Sequence, residues 1–151
     1  METPATAPLR RLLVATDGSK GAERAVVVAA GIAKAAGADL LIMSVSTDDL
    51  TGEKARYVES LHMDEGDALE AISRQILLRA LQYARESGAK TVETTLAVGD
   101  PAEKIIEAIQ LKEIDMVVVG RRGRGRLEGL ILGSVSQKLA SLAPCVVTIV
   151  P

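Results

Sequence analysis

The sequence is almost without aromatic side chains, since its 151 residues include two Tyr, no Phe and no Trp. Proteins that bind single-stranded nucleic acid without sequence preference stack the bases on aromatic rings, so this composition argues against that class. The formal net charge of −2 provides no positive field to attract nucleic acid or an anionic membrane surface. We therefore expect an aliphatic core and no nucleic-acid partner.

Cysteine and histidine are also scarce, with one residue of each type. Cys145 alone excludes an internal disulfide, and its apolar setting in Pro-Cys-Val-Val predicts a buried structural thiol. His62 has no second His and no nearby Cys with which to form a metal cluster. Neither Ser19 nor Cys145 has a histidine base at motif spacing, so the sequence gives no support to nucleophilic catalysis. We predict no catalytic residue and no protein-bound metal.

Long hydrophobic runs are missing as well. No apolar run approaches the roughly 20 residues that a membrane-spanning helix needs. The N-terminal Met-Glu-Thr-Pro-Ala-Thr-Ala-Pro lacks the apolar region of a secretory signal. We expect residues 1–9 to form a flexible tail, residues 10–151 to form one domain, and the protein to be cytoplasmic without membrane insertion.

Strand and helix signals alternate along the chain. The predicted strands are Arg11–Thr16, Asp39–Val45, Thr91–Val98, Met116–Val119 and Cys145–Val150. The predicted helices are Ser19–Ala36, Asp67–Ser87, one that opens with Asp100-Pro101-Ala102-Glu103, and Gly133–Leu142, with a long loop at Ser46–Gly66. Crossovers of this length predict an α/β fold with a single doubly wound five-stranded parallel sheet, order 3-2-1-4-5, and helices on both faces. Such sheets bind ligands at the carboxyl ends of the strands, where the winding reverses.

Glycines are concentrated after the fourth strand, in the pattern Gly120-x2-Gly123-x9-Gly133-Ser134. Glycine lets the backbone approach a ligand closely, and the free amides that begin the next helix are suited to phosphate oxygens. Ser134 adds a hydroxyl for a phosphate or for its metal. Taken alone, the pattern also fits a solvated basic loop in which the glycines only form turns.

Other glycine motifs do not fit this segment. It has no GxxxxGK[ST], and Gly123-x-Gly125 lacks the third glycine of the dinucleotide fingerprint. Arg121, Arg122, Arg124 and Arg126 raise the alternative of RNA contact. The absence of interleaved aromatic residues and the acidic chain argue against that alternative.

The glycine spacing resembles the ATP-binding signature G-x2-G-x9-G-[S/T] of the universal stress proteins, and all four fixed positions match. Three further segments are similar to that family: Thr-Asp-Gly-Ser after the first strand, Val-Gly-Asp-Pro after the third, and the tail Gly-Ser-Val-Ser-Gln-Lys-Leu-Ala-x-x-Ala-Pro-Cys-Val-Val. The similarity spans residues 10–150 in the same order. It implies a regulatory protein that binds ATP with Mg²⁺ or Mn²⁺ and hydrolyses it slowly or not at all.

The resemblance also implies a set of nucleotide-binding residues at the strand ends and at the start of the last helix. Thr16 and Asp17 would face the nucleotide, with Asp17 near the ribose, and the backbone of Val45 would recognise adenine. Gly120, Arg122 and Gly123 would line the ribose and the α-phosphate. Gly133, Ser134 and Val135 would hold the β- and γ-phosphates with a divalent cation. Ala15 and Val119, the strand residues before these groups, belong to the same implied site.

Two alternative functions stay open at this point. One is a genuine ATPase or nucleotidyl transferase in which Glu128 or Asp17 works through a metal ion. The other is a protein-interaction module with vestigial nucleotide binding. Asp17 also has a purely structural interpretation, as a turn or cap residue before a helix.

The final strand, Cys145–Val150, is an apolar edge strand in the predicted order, and only Pro151 follows it in the sequence. An uncovered apolar edge favours pairing with a second chain, and two-fold self-pairing is the simplest closed arrangement. We therefore predict a homodimer through this strand, which the family resemblance also implies, and an additional protein partner whose identity the sequence does not indicate.

Overall fold

The computed structural model describes residues 2, 7–47, 56, 59, 60, 62, 64–122 and 132–151. Within those residues, strands and helices alternate as predicted: β1 (Arg11–Ala15), α1 (Lys20–Ala36), β2 (Asp39–Ser46), α2 (Glu65–Glu86), β3 (Val92–Val98), α3 (Pro101–Leu111), β4 (Met116–Gly120), α4 (Ser134–Leu142) and β5 (Val146–Val150). The strands form one parallel sheet in the order β3-β2-β1-β4-β5. The predicted doubly wound fold is confirmed.

The sheet separates two apolar clusters. Along β1, Leu12 and Val14 are buried in the cluster under α1 and α2, whereas Leu13 is buried in the cluster under α3 and α4. Successive side chains of a strand point to opposite faces, so a strand that is covered on both faces must be apolar throughout. The largest fully buried side chains are all Leu, Ile or Val, which confirms the aliphatic core.

Two helices begin at the carboxyl edge of the sheet with side-chain caps, at the residues where the sequence-based prediction placed their starts. The Ser19 hydroxyl accepts the Ala22 N–H at 3.3 Å before α1. The Asp100 carboxylate accepts the Glu103 N–H at 3.0 Å before α3, with Pro101 as the first helical residue. Gly37 ends α1 with φ = 65°, a left-handed conformation that favours glycine. These caps fix where each chain segment turns back over the sheet.

The structure differs from the sequence-based prediction at a few places. The loop that we predicted for Ser46–Gly66 is wrong at six positions, since Ser46 belongs to β2 and five residues are helical: Arg56, Glu59, Ser60, Glu65 and Gly66. Most of the remaining segment lies outside the described residues. The prediction of a buried thiol within the last strand is also wrong, since Cys145 is half-buried and lies just before β5, the edge strand of the described sheet. No helix in the described ranges is long and apolar enough to cross a membrane.

Candidate functional site

The central strands β1 and β4 are neighbours, and the chain leaves them toward opposite faces of the sheet. The helix that follows β1 packs over the first cluster, and the helix that follows β4 packs over the second. This is the point at which the winding of the sheet reverses, where open α/β sheets bind ligands. The predicted site residues lie around this point.

The turn after β1 is held by its own side chains. The buried Thr16 donates its N–H to the Met43 carbonyl at 2.9 Å, and its hydroxyl accepts the Gly18 N–H at 3.2 Å. The Asp17 carboxylate accepts the Ser19 N–H at 2.9 Å. Gly18 has φ = 80°, which allows the tight turn. Asp17 therefore has the structural role that the sequence left as an alternative, and the turn presents its half-buried side chain at the edge of the sheet.

Gly120 ends β4 directly beneath the first turn of α1. A Cβ atom at Gly120 would lie 3.0 Å from the Gly21 carbonyl carbon and 3.2 Å from the Ala22 nitrogen. Few real Cβ atoms come so close to backbone, so a side chain at this crossing would require the backbone of α1 to shift by a few tenths of an ångström. We predicted that this glycine clears space for a ligand. The backbone of α1 takes up the space beside its α-carbon, so this crossing accounts for the glycine without a ligand, and its place in the site stays a prediction.

Hydrogen bonds fix the peptide groups just after β4. The Arg121 N–H donates to the Val150 carbonyl at 2.7 Å, and the Arg121 carbonyl accepts the Gly133 N–H at 2.8 Å. The Ser136 hydroxyl lies 2.8 Å from the Gly120 carbonyl oxygen and 3.2 Å from that of Arg121. The two ends of the segment 122–132 are therefore tied together at Arg121 and Gly133.

Ser136 is a residue of this region that our sequence-based prediction missed. Its side chain is buried, with 3% exposure, and it lies one turn before the fully buried Leu139 on the inner face of α4. A serine on the apolar face of an amphipathic helix was the available signal, because a buried hydroxyl requires a hydrogen-bond partner.

The first turn of α4 offers backbone donors. Gly133 is the N-cap residue, and no side-chain cap bond is formed at this helix end by the residues that the structure describes. The first turn contains no acidic residue, and Ser134 is exposed. The Gln137 N–H is the first to bond within the helix, to the Gly133 carbonyl at 3.0 Å. The amides before it stand at the positive end of the helix dipole, an arrangement suited to an anion.

The remaining predicted residues fall into three groups. Four of them, Ala15, Val45, Val119 and Val135, belong to or pack against the cluster under α3 and α4. Arg122 is exposed, and its carbonyl oxygen lies 3.2 Å from where a Cβ atom of Gly21 would be. Gly123 and Glu128 lie outside the described residues.

The titratable groups of the described residues give no support to a catalytic role. Burial raises the pKa of the Cys145 thiol, which disfavours the nucleophilic thiolate at neutral pH. Within the described ranges, no three His, Cys, Asp or Glu side chains come together in a way that would hold a metal ion. What this edge of the sheet presents is a set of amide and hydroxyl donors.

A separate groove of about 370 Å³ lies between α3 and the edge strand β3. Its floor includes Leu41, Met43 and Ala97, and its walls include Ala108 and Leu111. None of the predicted site residues lines it. We therefore place the candidate site at the reversal point of the winding, where donors converge, and not in this apolar groove.

The fold and this edge together define a doubly wound α/β domain with a helix that begins at its reversal point without a side-chain cap among the described residues. The model of the universal stress protein family matches residues 8–151. The universal stress protein YxiE of Bacillus subtilis is 36% identical over 147 residues, which cover 93% of this chain and 97% of that protein. The chain belongs to the universal stress protein family.

Solved structures agree with this assignment. The universal stress protein UspA from Lactobacillus plantarum is similar with a TM-score of 0.79 and 25% identity, covering 97% of this chain and 100% of that one. A universal stress protein in complex with cAMP is similar with a TM-score of 0.74 and 31% identity, covering 96% and 99% of the two chains.

Proposed function

We propose that this protein binds ATP, with Mg²⁺ or Mn²⁺ on the phosphates, at the carboxyl ends of β1 and β4. It acts through its domain at residues 10–151 as a cytoplasmic regulatory protein that signals to a protein partner. The observation that carries the proposal is the start of α4, which opens with Gly133 and has no side-chain cap among the described residues. A relative that is 31% identical was solved with cAMP, which contains the same adenine, ribose and phosphate chemistry.

The phosphate end of the site consists of α4 and the segment before it. The amides of Ser134 and Val135 and the Ser134 hydroxyl supply donors for the β- and γ-phosphates. Gly123 falls outside the described residues, and its place near the α-phosphate rests on the family resemblance. A divalent cation bound here would take most of its ligands from phosphate oxygens and water, as Mg²⁺ commonly does.

The nucleoside end uses the ends of β1 and β2. In a parallel ladder, alternate residues direct both backbone groups to the same neighbouring strand. Leu40 donates to Thr91 beside β3, and the Met43 carbonyl accepts from Thr16 beside β1. Val45 lies two residues after Met43, so its N–H and carbonyl also point toward the β1 side of β2. These two groups lie beyond the last residue of β1. These groups are suited to the edge of adenine, while Asp17 lies at the next strand end for the ribose.

Mass spectrometry of protein purified under native conditions tests the proposal directly. We expect a mass shift that corresponds to a bound adenine nucleotide, either retained from the cell or taken up on addition of Mg-ATP. Protein that stays nucleotide-free at millimolar Mg-ATP would contradict the proposal and favour the interaction module with vestigial nucleotide binding.

Hydrolysis is proposed to be slow or absent. The Asp17 carboxylate already accepts the Ser19 N–H within its turn, and Glu128, the other candidate base, lies outside the described residues. The contact of Asp17 with Ser19 is that of a turn residue, and it does not indicate a catalytic base. A turnover above about 1 s⁻¹, modest for an enzyme, would instead support the ATPase alternative.

We also propose a homodimer through residues Cys145–Val150. Val146 donates its N–H to Asp115, and the Val150 carbonyl accepts from Arg121, so these residues pair with β4. The alternation of a parallel ladder then directs the backbone groups of Val147 and Ile149 to the outer side of β5, the last strand of the sheet. Such an edge pairs readily with a second copy about a two-fold axis.

Val146→Lys is expected to convert the dimer to a monomer at micromolar concentration. Val146 is 54% exposed in the single chain, so the fold should tolerate lysine, whereas a charged side chain on an edge strand opposes pairing. Light scattering should then report the 15.8 kDa chain in place of twice that mass. Leu111→Lys, at a 76% exposed position on α3, is the control and should remain dimeric. A wild-type protein of single-chain mass would remove the dimer proposal.

A further inference from the structure

We propose that Ser136 is a positioning residue of the ATP site. It orients the peptide groups that open the glycine segment and does not contact the nucleotide. This inference rests on the proposed ATP binding and adds a residue outside the Gly120-x2-Gly123-x9-Gly133-Ser134 pattern.

The hydroxyl of Ser136 donates to backbone carbonyls inside the protein. The side chain is 3% exposed, and its single hydroxyl hydrogen is shared between the Gly120 carbonyl at 2.8 Å and the Arg121 carbonyl at 3.2 Å. Ser134, two residues earlier, is exposed. The two serines therefore have different roles: Ser134 is available to a phosphate, and Ser136 is committed to the backbone.

The peptide group between Gly120 and Arg121 is held from two sides, by Ser136 on one side and by β5 on the other. The N–H and C=O of one trans peptide group point in opposite directions. The carbonyl of the peptide between Gly120 and Arg121 is held by Ser136, and its N–H is held by the Val150 carbonyl at 2.7 Å. Rotation of this peptide group therefore breaks two hydrogen bonds.

The contact with Arg121 fixes the start of α4 relative to β4. The Arg121 carbonyl accepts both the Ser136 hydroxyl and the Gly133 N–H, which donates at 2.8 Å. Without the hydroxyl, the Gly133 amide is the only donor to this carbonyl among the described residues. The distance between the N-terminal amides of α4 and the peptide after Gly120 is then less firmly fixed. Because donors that are held in place before binding cost less to order, we expect weaker anion binding.

Ser136→Val and Ser136→Thr form the decisive pair, because valine and threonine share a shape and differ in one hydroxyl. We expect Ser136→Val to bind Mg-ATP about tenfold more weakly than Ser136→Thr, the size of effect that one lost hydrogen bond produces. Ser136→Ala should resemble the valine variant. Ser73→Ala is the matched control, since Ser73 is a serine with 4% exposure on α2, and its ATP affinity should be unchanged.

Affinities would be measured by calorimetry, and amide hydrogen exchange at Arg121 and Gly133 would be followed in nucleotide-free protein. Faster exchange at these two amides in Ser136→Val, together with the affinity loss, supports the positioning role. Equal affinity of the threonine and valine variants overturns it, even if exchange increases. An equal affinity loss in Ser73→Ala also overturns it. Absence of ATP binding by the wild-type protein overturns the proposed function itself, whatever the exchange data show.

Discussion

Ser134→Glu is expected to weaken Mg-ATP binding by about 100-fold or more while leaving the protein at least as stable as the wild type. The carboxylate would stand in the first turn of α4, a turn that contains no acidic residue. Its repulsion of the phosphates, at an effective dielectric constant near 20 and a separation of 4 Å, is about 4 kcal/mol before screening by salt. The same charge interacts favourably with the helix dipole, by about 0.3–1 kcal/mol.

The opposite signs of the two effects separate a binding role from a folding role. Calorimetric titration with Mg-ATP would give the affinity, and urea denaturation would give the free energy of unfolding. Ser134→Gln is the matched control, because it also removes the Ser134 hydroxyl and has the length of Glu without the charge, so it should lose only the share of affinity that the hydroxyl supplies. Unchanged ATP binding in Ser134→Glu would show that the phosphates do not lie at this helix end.

Gly120→Ala is expected to lower the free energy of unfolding by about 1 to 3 kcal/mol, the usual cost of overpacking an interior contact. The added Cβ would meet the Gly21 carbonyl carbon at 3.0 Å and the Ala22 nitrogen at 3.2 Å, and both are backbone atoms. The first turn of α1 must move away from β4 to relieve this contact. Because the turn of Thr16 and Asp17 leads into α1, ATP affinity should also fall.

Gly31→Ala is the control for this substitution. Gly31 lies inside α1, and a Cβ atom there would have no neighbour within 4 Å. The same chemical change should therefore raise the free energy of unfolding by about 0.5–1 kcal/mol, through reduced backbone entropy. Urea denaturation of the two variants should give shifts of opposite sign. Equal stability of Gly120→Ala and the wild type would contradict the close crossing of α1 and β4.

Much of the fold could be predicted from the sequence because its signals are local. The apolar run of β1, the Ser19 and Asp100 caps and the left-handed Gly37 each depend on residues a few positions apart. The predicted strand order also agrees with the structure, and the alternation of strands with crossover helices accounts for the parallel pairing.

Long-range partners limited the prediction of the site. A glycine such as Gly120 indicates that a Cβ does not fit, but the sequence does not reveal that Gly21, from a distant helix, is what excludes it. Ser136 was missed because its acceptors, Gly120 and Arg121, lie 16 and 15 residues earlier. The Thr16–Asp17 turn was found because its partners, Gly18 and Ser19, are within two residues.

The most direct test of ATP binding at the reversal point is a two-dimensional NMR titration of ¹⁵N-labelled protein with Mg-ATP. We expect five amide signals to shift together and to saturate, those of Thr16, Asp17, Gly120, Ser134 and Val135. Signals from Leu111 and from the groove beside β3 should remain in place. Shifts confined to that groove, or no shifts at millimolar Mg-ATP, would contradict ATP binding at the reversal point.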